Sequence, residues 1–174
     1  AATVIENGWD RANFPSGRSA EVPTNGPVML SFVGNLMGHA AFEKFLDVFR
    51  QVVTRDEITE NDLKIRIVGK ISDQQRAQIK KRELDMFFEY AGFVKKQVAI
   101  DIMQSSHGLL MFGDEELSIY IPSKLYEYLA AKRPILYYGA SGISPRIISS
   151  LNSGWVVGAN EENKLSEAFS SLFR

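Results

Sequence analysis

PVMLSFVG (27–34), HAAFEKFLDVFRQVV (39–53) and LKIRIVG (63–69) follow one another, and their alternation decides the fold. The first is a short apolar run, too short for a helix and closed by Gly34. The second spaces Phe42, Phe45, Leu46 and Phe49 three and four apart, the buried stripe of an amphipathic helix. The third is again apolar and again ends in glycine, at Gly69. Working outward, the alternation continues to the end of the chain. SDQQRAQIKKREL (72–84) reads as a polar helix starting at Ser72 or Asp73, and MFFEYAGF (86–93) as a strand running into Gly92. KKQVAIDIMQSS (95–106) reads as a helix with Val98, Ile102 and Met103 facing inward. GLLMFG (108–113) is a strand, GDEELSIYI (113–121) a loop, PSKLYEYLAAK (122–132) a helix and PILYYG (134–139) a strand. SPRIISSLN (144–152), GWVVG (154–158) and EENKLSEAFSSLF (161–173) complete the pattern as helix, strand and helix.

Strands that read as continuous apolar runs between helices belong to a parallel sheet covered on both faces. The expected class is therefore α/β: a Rossmann-like, doubly wound parallel sheet of about six strands. Residues 27–174 form that domain. Residues 1–26, rich in Asn, Gly and Pro, are expected to be an interdomain link and edge segment, with a short strand at 3–5. The absence of an initiator Met leads us to expect that the sequence begins inside a longer protein. Trp9 and the apolar residues of 4–14 would then face the missing part. Packing of Trp9 and Phe14 on this domain's own edge is the equal alternative.

Composition excludes several classes. The chain has 174 residues, 45% hydrophobic and 24% charged, with a formal net charge of −1, so neither a general nucleic-acid binder nor a polybasic membrane protein is expected. Without cysteine there are no disulfides, thiolate metal sites or cysteine catalysis, and a reducing compartment is the default. No apolar run reaches the roughly 18–20 residues of a membrane span. GxGxxG and GxxxxGK[ST] are absent, GASGIS around Ser141 is not a hydrolase elbow, and His39 and His107 lack metal-ligand spacing.

The chemistry gathers at strand ends. Ligands of doubly wound sheets bind beyond the C-terminal ends of the strands, where glycine recurs here at 34, 69, 92, 113 and 139. In IPSKLYEYLAAKRPIL (121–136) a helix is expected to begin with Pro122 at its first position. Lys124 then stands in the first turn, where the helix dipole disfavours a cation by about 0.3–1 kcal/mol. Leu125, Tyr128 and Leu129 form the core stripe, while Ser123 and Glu127 share another face. Free amides at the helix start, with Lys124, would suit a phosphate, and Glu127 could accept from two ribose hydroxyls. A plainer account also stands: Ser123 as a cap, and Lys124 paired with Glu115, Glu116 or Glu127 on a solvated face.

SKLYEYLAAKRPIL (123–136) resembles the donor-binding motif of family 4 glycosyltransferases, enzymes of the GT-B fold. VIENGWDRANF (4–14) is similar to the link between that family's two domains, and SFVGNL (31–36) to the first strand and glycine turn of its C-terminal domain. IRIVGK (65–70), FFEYAGFV (87–94) and GWVVGANEENKLSEAFSSLF (154–173) are similar to its second strand, base-side segment and closing strand and helix. The resemblance implies that 27–174 is the nucleotide-sugar-binding half of a GT-B enzyme, with a missing N-terminal acceptor domain as partner. It implies transfer of a sugar from a nucleoside-diphosphate sugar to an acceptor hydroxyl, without a cofactor or metal, by a fragment inactive alone. Glu127 would take the ribose, Ser123 and Lys124 the diphosphate, and Lys124 would be catalytic by meeting charge on the leaving phosphate. Gly34 would admit the sugar phosphate, with Asn35 beside it, Lys70 near the phosphates, and Phe93 and Val94 near the base. The context implied is bacterial polysaccharide biosynthesis in the cytoplasm, with the inner membrane face as an option for the full-length protein. The sequence departs from the family pattern at Asn35, where many members carry Arg. Gly38-His39-Ala40 stands where a Lys is common, and Ile119 where a second acid is common. These departures keep open a non-catalytic nucleotide-binding or interaction domain with an eroded site; a sugar-nucleotide epimerase ranks last.

Overall fold

A computed structural model describes residues 8–14, 20–36, 38 and 40–174. The expected strand at 3–5, and His39, lie outside them. Six strands form one sheet: β1 (Val28–Asn35), β2 (Leu63–Lys70), β3 (Phe88–Gly92), β4 (Gly108–Gly113), β5 (Ile135–Gly139) and β6 (Gly154–Val157). Between and after them run α1 (Ala40–Arg55), α2 (Asp73–Lys81), α3 (Lys96–Ser105), α4 (Ser123–Ala131), α5 (Ile143–Ser150) and α6 (Glu162–Leu172). The order across the sheet is β3-β2-β1-β4-β5-β6, and every pair is parallel. The chain therefore grows outward from β1 in one direction, returns, and grows outward in the other. The switch point lies between β1 and β4.

The apolar strands need cover on both faces, and side chains alternate between two cores. Leu30, Phe32, Ile65, Ile67, Leu110, Phe112, Leu136 and Tyr138 point into one, closed by Phe42, Phe45 and Phe49 of α1, Ile79 of α2 and Phe169 of α6. Val33, Val68, Leu109, Met111, Ile135 and Tyr137 point into the other, closed by Ile100 and Met103 of α3, Leu125 and Tyr128 of α4, and Ile148 of α5. The α1 stripe is as expected, with all four named residues fully buried. In α3, Met103 is fully buried and Ile102 packs against the second core, as expected, but Val98 is corrected: it is 43% exposed, and Ile100 and Gln104 are the other buried positions. Ser72 caps α2 in a reciprocal capping box with Gln75. The segment 113–121 is a loop with one 3-10 turn at Glu115–Leu117. Trp9 is 49% exposed, whereas Phe14 packs against the second core, so the two alternatives for this edge divide between the two residues.

Candidate functional site

The C-terminal ends of four strands carry glycine in register. Gly34 pairs with Gly69, and Gly113 with Gly139. A Cβ on Gly69 would stand 2.0 Å from the Gly34 carbonyl oxygen, and one on Gly139 2.0 Å from that of Gly113. No side chain fits at either place, so the rim on both sides of the switch point is bare backbone.

Two concavities open along this rim. One is a groove of about 430 Å³ over the ends of β1, β2 and β3, and it gathers Gly34, Asn35, Lys70, Phe93 and Val94. Lys70 Nζ lies 5.7 Å from the centroid of the Phe93 ring, and that ring is 77% exposed. The groove thus offers a cation and an uncovered aromatic face beside a glycine turn.

The other is a cavity of about 380 Å³ at the switch point itself. The β1–β4 ladder has two pairs, Leu30–Gly108 and Ser31–Leu109. Beyond them the Tyr128 side chain of α4 enters between the strands. Its hydroxyl accepts from Val33 N–H at 2.8 Å and donates to the Leu110 carbonyl at 3.2 Å. Burial pushes this phenol well above its ordinary pKa, while the Val33 N–H pulls the other way. The cavity shares Val33, Gly34 and Asn35 with the groove and is lined further by Met111, Ser118, Tyr120, Lys124, Tyr137 and Ser144. Tyr137 donates to the Ala140 carbonyl at 2.8 Å, and burial raises its pKa to about 12.

Helix α4 begins one residue later than expected. Pro122 is its N-cap, with extended ψ of 138°, and its carbonyl accepts from Leu125 N–H at 2.9 Å. Ser123 is exposed and makes no capping hydrogen bond. Lys124 forms an ion pair with Glu127, one turn on; this answers which of the three acids it meets. Both side chains stay partly exposed, at 32% and 26%. Lys124 lines the cavity, whereas Ser123 and Glu127 line neither concavity. The structure thus brings six of the eight expected residues to two adjoining concavities and leaves two on the first turns of α4.

The family model of the group 1 glycosyl transferases matches residues 27–174. The chain belongs to this family. Among solved structures, the glycosyltransferase WaaG, involved in lipopolysaccharide biosynthesis, matches this glycosyl transferase domain with a TM-score of 0.71 and 16% identity. That match covers 96% of this chain and 45% of WaaG. The lipopolysaccharide outer core galactosyltransferase WaaB matches with a TM-score of 0.69 and 14% identity, over 98% of this chain and 46% of that one. A variant of TarM from S. aureus, solved in complex with Fondaparinux, alpha-GlcNAc-glycerol and UDP, matches with a TM-score of 0.61 and 14% identity, over 90% of this chain and 31% of that one. At such identities these likenesses concern the fold, which is that of GT-B glycosyltransferase domains. The glycosyl transferase chain spans less than half the length of each of these structures. No curated protein sequence matches it.

Several residues that shape the site escape a reading of motifs. Asp114, just past β4, accepts from Ala41 N–H at 2.8 Å and so fills part of the α1 amino terminus from within the chain. Gln75, buried on α2, donates to the Leu36 carbonyl at 2.7 Å and ties down the segment that follows the Gly34 turn. Tyr128 was legible only as core; a tyrosine among leucines on a buried stripe signals a hydroxyl that must find partners. His107, without metal-ligand spacing, serves the fold: its Nδ1 accepts from Met29 N–H at 3.0 Å, and burial lowers its pKa.

Proposed function

We propose that residues 27–174 are the donor-binding domain of a glycosyltransferase that moves a sugar from a nucleoside-diphosphate sugar to an acceptor hydroxyl. One observation carries this reading. The groove with Lys70 and Phe93 and the cavity with Lys124 adjoin across Gly34 and Asn35 at the switch point of the sheet. A nucleoside diphosphate lying across that bare ridge would keep its base near Phe93 and Val94 and its phosphates between Lys70 and Lys124. Glu127, one turn along α4, would accept from the ribose hydroxyls, and Ser123 would offer a hydroxyl and an amide at the helix start.

In this reading Lys124 is the catalytic residue. Charge grows on the leaving phosphate as the glycosidic bond breaks, and a preorganised ammonium beside it lowers the barrier. No cofactor or metal is invoked. The acceptor, and the domain that holds it, are supplied by sequence outside this chain, so the chain alone binds nucleotide without turnover. We propose action in the cytoplasm, in the assembly of a bacterial polysaccharide.

Calorimetric titration of this chain with UDP, GDP and ADP tests the reading. UDP comes first, because the S. aureus TarM structure was solved with it. Binding of one nucleotide that weakens in Lys124→Ala is the expected result; silence from all three rejects the donor site.

The Lys124–Glu127 ion pair favours a second reading. The two charges assigned to ligand neutralise each other, and Ile119, 70% exposed, stands where a further acid was expected. Of the non-catalytic alternatives, an interaction domain with an eroded site would give the silent titration, whereas a non-catalytic nucleotide-binding domain would bind a nucleotide yet show no transfer within the full-length protein.

A further inference from the structure

Two lysines flank the ridge of Gly34 and Asn35, and they differ in state. Lys70, in the groove, has its ammonium 5.7 Å from the Phe93 ring centroid and no carboxylate partner among the described residues. Lys124, in the cavity, is held by Glu127, three residues on along α4. Among the described residues no carboxylate lines either concavity, and Glu127 itself lies outside both. An anion that enters the cavity therefore competes with Glu127 for one ammonium. The pair also offsets the unfavourable placement of a cation in the first turn of a helix.

The competition is close. With side chains 32% and 26% exposed, the pair holds by a factor of about five at most. What the ligand gives back to Glu127 then decides the balance. A bare diphosphate takes the ammonium and leaves a carboxylate beside it with only water as partner, so it loses the pair and gains a repulsion. A nucleoside diphosphate brings two ribose hydroxyls as well, and a carboxylate can accept from both. Positions three apart on a helix are about 4.5 Å apart along its axis, a span that a ribose and its attached phosphate can bridge. We propose that the Lys124–Glu127 pair is a partner-exchange switch that makes the site favour a ribose-linked diphosphate over free pyrophosphate. The proposal rests on the donor reading above and adds to it discrimination against the inorganic anion. The self-neutralised pair is then the resting state of a working site.

The test titrates pyrophosphate, UDP, GDP and ADP by calorimetry into the parent chain, Glu127→Gln and Glu116→Gln. Glu127→Gln keeps the size of the side chain and removes its charge. Glu116→Gln removes an equal charge from the exposed turn that precedes α4. The two ligand types should respond to Glu127→Gln with opposite sign. Pyrophosphate should bind about two- to fivefold more tightly than to the parent, as the ammonium is released. The nucleotide that the parent accepts should bind about tenfold or more weakly, as the charged acceptor of the ribose hydroxyls is lost. Glu116→Gln should follow the parent with both. Pyrophosphate affinity at or below the parent's, silence included, overturns the proposal. Tightening of both ligands, or an equal gain in Glu116→Gln, also overturns it, because the carboxylate would then act only as one more negative charge. In each of these cases nucleotide binding by the parent leaves the donor reading standing. Silence of the parent toward all three nucleotides overturns the two together.

Discussion

Tyr128→Phe removes one oxygen from the point where β1 and β4 part, and its cost follows from the bonds that oxygen makes. The ring keeps its packing, so the change is confined to hydrogen bonding. Val33 N–H, now 2.8 Å from the hydroxyl, would be left buried without an acceptor, at a cost of about 1–3 kcal/mol. The longer bond to the Leu110 carbonyl, 3.2 Å, adds about 0.5 kcal/mol. A loss of about 2–3 kcal/mol is expected, which in a chain of this length lowers Tm by about 4–12 °C. Urea denaturation at neutral pH measures the free energy, and thermal circular dichroism the midpoint. Tyr138→Phe is the control. Its hydroxyl donates a single bond, to the Ala159 carbonyl at 2.8 Å, and its loss should cost no more than about 1.5 kcal/mol. If Tyr128→Phe changes stability by less than about 0.5 kcal/mol, or by less than the control, the hydroxyl is not what spans the two strands.

Three further outcomes are expected. Stability should fall steeply above pH 10 in alkaline denaturation: burial raises Tyr128, and raises Tyr137 and Tyr138 to about 12, so the unfolded chain releases these protons first and each ionisation costs about 1.4 kcal/mol per pH unit. Lys124→Ala should leave stability within about 1 kcal/mol of the parent, because its pair with Glu127 is partly exposed, yet weaken nucleoside diphosphate binding about tenfold or more in calorimetry. Gly69→Ala and Gly139→Ala should each destabilise by more than about 1 kcal/mol in denaturant titration, since the added methyl meets a backbone oxygen, while Gly34→Ala, whose Cβ stands 3.6 Å from Phe32, should be the mildest of the three.

Most of the fold was legible because the strands here are apolar on both faces. GLLMFG and PILYYG leave no reading other than a buried sheet, and the four residues of the α1 stripe land where their spacing puts them. The misreading of α3 has a physical cause. Here a polar residue, Gln104, takes a buried position and an apolar one, Val98, lies exposed, so apolar spacing alone does not mark the buried row. The glycine rim was legible, since strand ends of a parallel sheet share one edge, whereas Lys70, Phe93 and Val94, which share the groove with Gly34 and Asn35, were legible only through the family resemblance. Whether Lys124 turns to a ligand or to Glu127 was not, because three acids stood within its reach. The cavity was not legible either. It depends on the two-pair seam between β1 and β4, and register between strands so far apart in sequence leaves no local trace.

That seam also bears on how the chain comes together. Eight backbone pairs join β1 to β2, but two join β1 to β4. Beyond these, His107 N–H donates to the Met29 carbonyl at 2.9 Å, and side chains add the hydroxyl–hydroxyl bond of Ser31 and Ser106 at 2.7 Å, the Met29 amide on His107 Nδ1, and Tyr128. The β1–β3 half, with α1 and α2, is synthesised before any residue of β4. It contains its own local pairings and much of the phenylalanine core, so it can order as a unit while its inner edge waits. The second half then closes onto that edge through a few side-chain latches, and Tyr128 is the last of these to be synthesised.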